Sequence, residues 1–167
     1  MSSSSLMAWI ARGVERAIVE DARRWAPLET GGVLLGYWTD GHSAVVVKDA
    51  IHAGPEAVHR DLMFLPDTDY QEREIARRYE LSGRVHTYLG DWHAHPGGGS
   101  SLSRLDLRTL RTIANSPEAR ASFPLMVVAY GGDPWRLSAW RWSPRRIGHS
   151  VLWSRALPVP VQFFEDF

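Results

Sequence analysis

Apolar positions along this chain fall into two spacings, one helical and one extended. Between Arg12 and Ala26, Val14, Ala17, Ile18, Ala22 and Trp25 recur at intervals of three and four, which predicts an amphipathic helix stopped by Pro27. The β-branched and apolar runs from Gly31 to Trp38 and from His42 to His52 predict two antiparallel strands, joined by a tight turn at Thr39-Asp40-Gly41. Leu62 to Leu65 reads as a short strand, and Pro66-Asp67 opens a second helix over Thr68 to Leu81, ended by Ser82-Gly83. A strand follows from Arg84 to His95, and Leu107, Leu110, Ile113 and Ala114 then share one face of a third helix. Phe123 to Tyr130 and Trp135 to Trp142 close the pattern as strands joined by Gly-Gly-Asp-Pro.

Helices interspersed with antiparallel hairpins predict an α+β fold, an α/β sandwich with a mixed sheet. Residues 6–143 form the expected domain, residues 1–5 a disordered lead-in, and residues 144–167 a tail whose prolines leave its structure unassigned. Trp140 and Trp142 lie on one face of their strand and are expected in the core. The tail ends in Val-Gln-Phe-Phe-Glu-Asp-Phe, which suits docking on a partner or on the protein's own core.

The 167 residues, 44% of them hydrophobic, suffice for one substantial core. Nineteen basic and nineteen acidic residues give zero formal charge, and no long basic run suggests a nucleic-acid partner. There is no signal-like leader and no long apolar span, so a cytoplasmic protein with no membrane partner is expected. The absence of cysteine excludes disulfides, thiolate metal sites and cysteine nucleophiles, and leaves His, Asp and Glu as candidate ligands.

Those ligands are concentrated in Gly90-Asp-Trp-His-Ala-His-Pro-Gly-Gly-Gly-Ser-Ser-Leu-Ser-Arg-Leu-Asp106. In a strand His93 and His95 point to the same side, with Cα atoms about 6.5 Å apart, close enough to share an ion. Pro96 ends the strand, and Gly97, Gly98 and Gly99 allow a sharp reversal toward Ser103 and Asp106, three apart in the first turn of the next helix. Two imidazoles and a carboxylate, with a fourth position for water, form a donor set used by catalytic zinc. Each half of the pattern alone also fits a simpler role, the histidines as solvated or core-capping residues and Ser-x-x-Asp as a helix cap.

The combination resembles the JAMM (MPN-plus) metalloproteases. The stretch from His93 to Asp106 matches H-x-H-x(7)-S-x-x-D, and Glu29 to Gly36, Glu-Thr-Gly-Gly-Val-Leu-Leu-Gly, is similar to the family's upstream glutamate segment. The resemblance spans about Val14 to Trp142. It implies a curved mixed sheet flanked by helices, of cytidine-deaminase-like architecture, and one zinc with its bound water held by His93, His95 and Asp106. By matching position Glu29 is the general base and Ser103 helps stabilise the oxyanion. The implied reaction is hydrolysis after the C-terminal glycine of a ubiquitin-like protein.

The Gly-Pro loop after His52 and Trp92 before the first histidine resemble the small prokaryotic branch. Some members of that branch accompany activating and conjugating enzymes in bacterial conjugation or antiphage operons. The implied partners are a ubiquitin-like tail and its conjugated target. Two alternatives stand beside deconjugation: maturation of a ubiquitin-like or sulfur-carrier precursor, and a noncatalytic MPN scaffold. The glycine run departs from the more proline-rich loop of this branch and bears on loop stiffness. Glu56, Glu72 and Glu74 lack the setting of Glu29, and His42, His52, His59, His86 and His149 are expected at the surface or in packing.

Overall fold

The computed structural model describes residues 6–147 and 150–166. The expected lead-in at 1–5, His149 and Phe167 lie outside them. The order is β1 (Met7–Ala11), α1 (Arg12–Trp25), β2 (Gly31–Trp38), β3 (Ala44–His52), β4 (Val58–His59), β5 (Phe64–Leu65), α2 (Thr68–Leu81), β6 (Thr87–Pro96), α3 (Arg104–Asn115), β7 (Leu125–Gly131), β8 (Trp135–Ile147), β9 (Ser150–Val159) and β10 (Val161–Phe164). Eight strands form a mixed sheet in the order β10-β1-β3-β2-β6-β7-β8-β9, and β4-β5 is a separate small hairpin.

The sheet curls around α1. Val14, Ile18 and Ala22 of that helix are buried against Leu34, Val45, Val47, Trp92, Ala94 and Val127, which explains the three-and-four spacing in the sequence. The opposite face carries α2 over Val33, Leu35 and Ile51 and α3 over Met126, Val128 and Trp142. Trp142 is in the core as expected, and Trp140 packs at its edge while its indole N–H donates to the Ser100 carbonyl at 2.9 Å.

Two local expectations are corrected. The turn after Trp38 is a 3-10 turn over Asp40–His42 that delays β3 to Ala44, with Gly41 at φ 70°. Ser103 is the N-cap of α3 and precedes its first turn.

The segment after Ser143 enters the sheet. β8 runs through the expected boundary at 143/144, β9 returns along it, and β10 pairs in parallel with β1, Ala8 opposite Val161. Because Pro160 alone separates β9 from β10, one nearly continuous strand joins the two ends of the sheet. Among the described residues no helix is long and apolar enough to cross a membrane.

Candidate active site

The site lies where β2 and β6 meet, on the face that carries α2 and α3. Gly31 pairs with His93 and Val128 with His93, so the imidazole of His93 shares its side of the sheet with the α3 cluster. His95 follows at strand spacing on that side. Ala94 N–H donates to the Thr30 carbonyl at 2.8 Å, which fixes the segment carrying Glu29 directly beside the histidine pair.

Beyond Pro96 the chain reverses at Gly97, whose φ of 69° favours glycine. Gly98 N–H donates back to the His95 carbonyl at 3.0 Å. Ser103 then caps α3 by accepting the Asp106 N–H at 3.1 Å, and the Asp106 carboxylate accepts the Ser103 N–H at 2.7 Å. This reciprocal box fixes two otherwise unpaired donors. Asp106, almost wholly buried, is held by it with its carboxylate turned to the sheet.

There the two carboxylate oxygens face the two imidazoles. His93 Nδ1 is 2.5 Å from Asp106 Oδ1, and His95 Nε2 is 3.3 Å from Asp106 Oδ2. Burial works to raise the Asp106 carboxyl, but hydrogen bonds from His93 and His95 outweigh it and hold the group far below the usual carboxylate range. The bond to Asp106 raises His95 against the opposing effect of burial. His95 Nδ1 donates to the Gly99 carbonyl across 3.4 Å, an outer contact that turns Nε2 toward Asp106.

Glu29 is half-buried beside this cluster. Burial raises its carboxyl above the ordinary value, opposed by His95 and His93 and reinforced by the negative charge of Asp106. Its backbone is gripped by the β4-β5 hairpin. Glu29 N–H donates to the Arg60 carbonyl at 2.8 Å, and His59 Nδ1 donates to the Glu29 carbonyl at 3.0 Å. The His59 ring stacks on Trp25 with centroids 3.4 Å apart, and Phe64 of the same hairpin meets His93 edge-on at 5.2 Å.

Gly31 makes the last contact possible: a Cβ there would lie 2.5 Å from the Phe64 ring and 2.4 Å from the Trp92 carbonyl. Gly32 has a parallel role under Trp92, whose indole N–H donates to Ile51 O at 3.2 Å.

The five residues singled out in the sequence thus come together in one place. Two imidazoles and a charged carboxylate, converging from a strand and a helix cap, suit a divalent ion that favours nitrogen and oxygen ligands. Trp25, His59 and Phe64 escaped sequence reasoning. His59 packs, as its stack on Trp25 shows, but its bond to the Glu29 carbonyl had no local sign because these partners are about thirty residues away.

The profile of the prokaryotic homologs of the JAB domain matches residues 11–143. The chain belongs to this family. A probable metalloprotease of Sinorhizobium fredii is 47% identical over 136 residues, covering 80% of this chain and 82% of that protein. A CD-NTase/cGAS isopeptidase of Enterobacter hormaechei is 33% identical over 110 residues, covering 64% of this chain and 57% of that protein. A solution structure from Desulfitobacterium hafniense has the same fold, with TM-score 0.64 and 16% identity over 96% of this chain and 94% of that one. The chain is a JAMM-type hydrolase of a family of metalloproteases and isopeptidases.

Proposed function

We propose that this JAB-family protein is a zinc-dependent isopeptidase. It cleaves after the C-terminal glycine of a ubiquitin-like protein and frees it from the lysine of a target, in the cytoplasm and within a bacterial conjugation or antiphage system. The observation that carries the reading is the meeting of His93, His95 and Asp106 with Glu29 on one face of the sheet. The isopeptidase among its relatives supports the reaction type.

His93, His95 and Asp106 would hold the zinc. When bound, zinc supplies Lewis acidity that lowers the pKa of water to about 7. Glu29 takes the proton of the attacking water. Its raised carboxyl makes that proton easier to keep for a moment and then deliver to the departing lysine amine, without which an amide is a poor leaving group. The Ser103 Oγ already accepts the Asp106 N–H, so its own O–H is available to the oxyanion that forms on the glycine carbonyl. No side-chain nucleophile is required, and the chain has no cysteine to serve as one.

The test is mass spectrometry of cells expressing the protein with its neighbouring genes, as wild type or Glu29→Ala. Lysine-linked adducts of a glycine-ended protein should accumulate only in the variant. An unprocessed precursor without adducts would replace deconjugation by maturation, and no change in either would leave a noncatalytic scaffold.

A further inference from the structure

Outside the reaction site, α3 and the β8-β9 hairpin enclose a groove of about 480 Å³ lined by Leu107, Arg108, Arg111, Trp142, Arg155 and Ala156. Three of these six residues are arginines, and none is an acid. Some arginines elsewhere take carboxylate partners, Arg12 with Glu15, Arg23 with Asp133, Arg77 and Arg78 with Glu74, and Arg84 with Glu80, while others such as Arg16, Arg60, Arg73 and Arg136 have no ion pair among the described residues. Arg108, Arg111 and Arg155 have no ion pair among the described residues. In a chain of zero formal charge, this is a local excess that its own carboxylates leave uncompensated.

The first residue of α3 also carries a charge that runs against the helix's stability. Arg104, Arg108 and Arg111 follow at helix spacing on one exposed stripe, and Arg104 is the first residue of the helix. Cations near a helix N-terminus oppose its dipole. The only acid in the helix, Asp106, is already turned toward the histidines. The exposed stripe is open to negative charge from outside.

We propose that this groove docks an acidic peptide segment of the protein substrate, a use that rests on the hydrolase reading above. Charge complementarity selects the occupant. Arginine forks pair with carboxylates through two parallel bonds, while Trp142 and Leu107 provide an apolar floor for the stems of glutamate or aspartate side chains. Leu107 follows Asp106 directly, so groove and reaction site share the first turns of α3. A segment held here anchors the substrate beside the scissile bond and adds specificity without touching the reacting atoms. A groove with three cations suits a short peptide better than the long phosphate track of a nucleic acid.

The test is fluorescence anisotropy with a labelled hexaglutamate peptide and the full-length, zinc-loaded Glu29→Gln protein. Binding should weaken with added salt and fall at least ten-fold in the Arg108→Ser/Arg111→Ser variant, while a hexaglutamine peptide fails to bind. The Arg108→Lys/Arg111→Lys protein retains charge and should keep an intermediate affinity, which separates lost recognition from lost folding. Equal affinity in the serine variant overturns the proposal. So does tighter, arginine-dependent binding of a single-stranded oligonucleotide, or complete displacement by millimolar inorganic phosphate, either of which would assign the groove to phosphate. Because binding is read without turnover, a failed isopeptidase assay and a failed docking assay are separate results.

Discussion

Asp106 serves the site and the helix at once: one oxygen lies 2.5 Å from His93 Nδ1, and the other faces His95 Nε2 at 3.3 Å while accepting the Ser103 N–H in the box that caps α3. The helix start and the site are therefore one construction. A carboxylate held by the Ser103 N–H arrives at the histidines already oriented, which limits the cost of ordering this three-residue cluster.

The two duties can be separated. Asp106→Asn keeps an oxygen for the Ser103 N–H but removes the charge, whereas Asp106→Ala removes both. Zinc content by elemental analysis should fall sharply in both variants. The alanine protein should also lose the reciprocal half of the capping box, a hydrogen bond worth about 1 kcal/mol, lowering its Tm by roughly 2–4 °C below that of the asparagine protein. Full zinc occupancy in Asp106→Asn would mean that the two histidines suffice.

His59 is expected to set the position of Glu29. Replacing it with alanine removes the bond to the Glu29 carbonyl and the stack on Trp25. Zinc content and KM should stay near wild type, while kcat drops by up to about 10²-fold, the scale of a displacement near 1 Å. His59→Asn, which can still donate to that carbonyl, should recover part of the loss. If KM rises instead with kcat unchanged, the hairpin contacts substrate and does not position the base.

How much of this was legible follows from distance along the chain. His93, His95, Ser103 and Asp106 lie within fourteen residues, so strand alternation and a glycine reversal bring them together by local geometry. Glu29 is distant but carries its own glycines, whose need is visible in the close approach of Phe64 and Trp92. The stack of Trp25 on His59 has no such local sign.

The prolines of the tail left it unassigned for a physical reason. Proline is excluded from central strands but tolerated at edges, and Pro144 lies in β8 beyond Arg141, where its pairing with β7 has ended. Pro158 is in β9, the outer strand on that side. Both positions leave the missing N–H without a ladder to break.

Stability should depend on acid through Glu74. Hydrogen bonds from Arg77 and then Arg78 outweigh partial burial and lower its carboxyl to about 2 from 4.5, and Arg78 also pairs with Asp49 of β3, tying α2 to the sheet. A carboxyl depressed on folding contributes above its unfolded value and loses that contribution as pH falls toward the folded one. Glu74→Gln should therefore melt below wild type at pH 7, with the gap closing between about pH 4.5 and 2. The neutral-pH gap should stay under about 1 kcal/mol, because Arg77 is open to solvent. A gap that widens in acid would contradict the assignment.

Truncation after Pro160 tests whether β10 closes the sheet or merely lies on it. The cut removes the parallel partner of β1 and takes Phe163 and Phe164 from the edge of the main core. It also removes the cation-π contacts of Arg12 with Phe163 and of Lys48 with Phe164, and the pairing of Lys48 with Asp166. β1 would then present unpaired N–H and C=O groups along an apolar strand, a template for association between copies. The truncated protein should melt several degrees lower and scatter light on heating, yet still bind zinc, since the proposed ligands lie across the sheet on β6 and α3. An unchanged Tm would make β10 a passive appendage. Loss of zinc together with stability would mean that the closing strand supports the site through α1, which packs between that edge and Trp92.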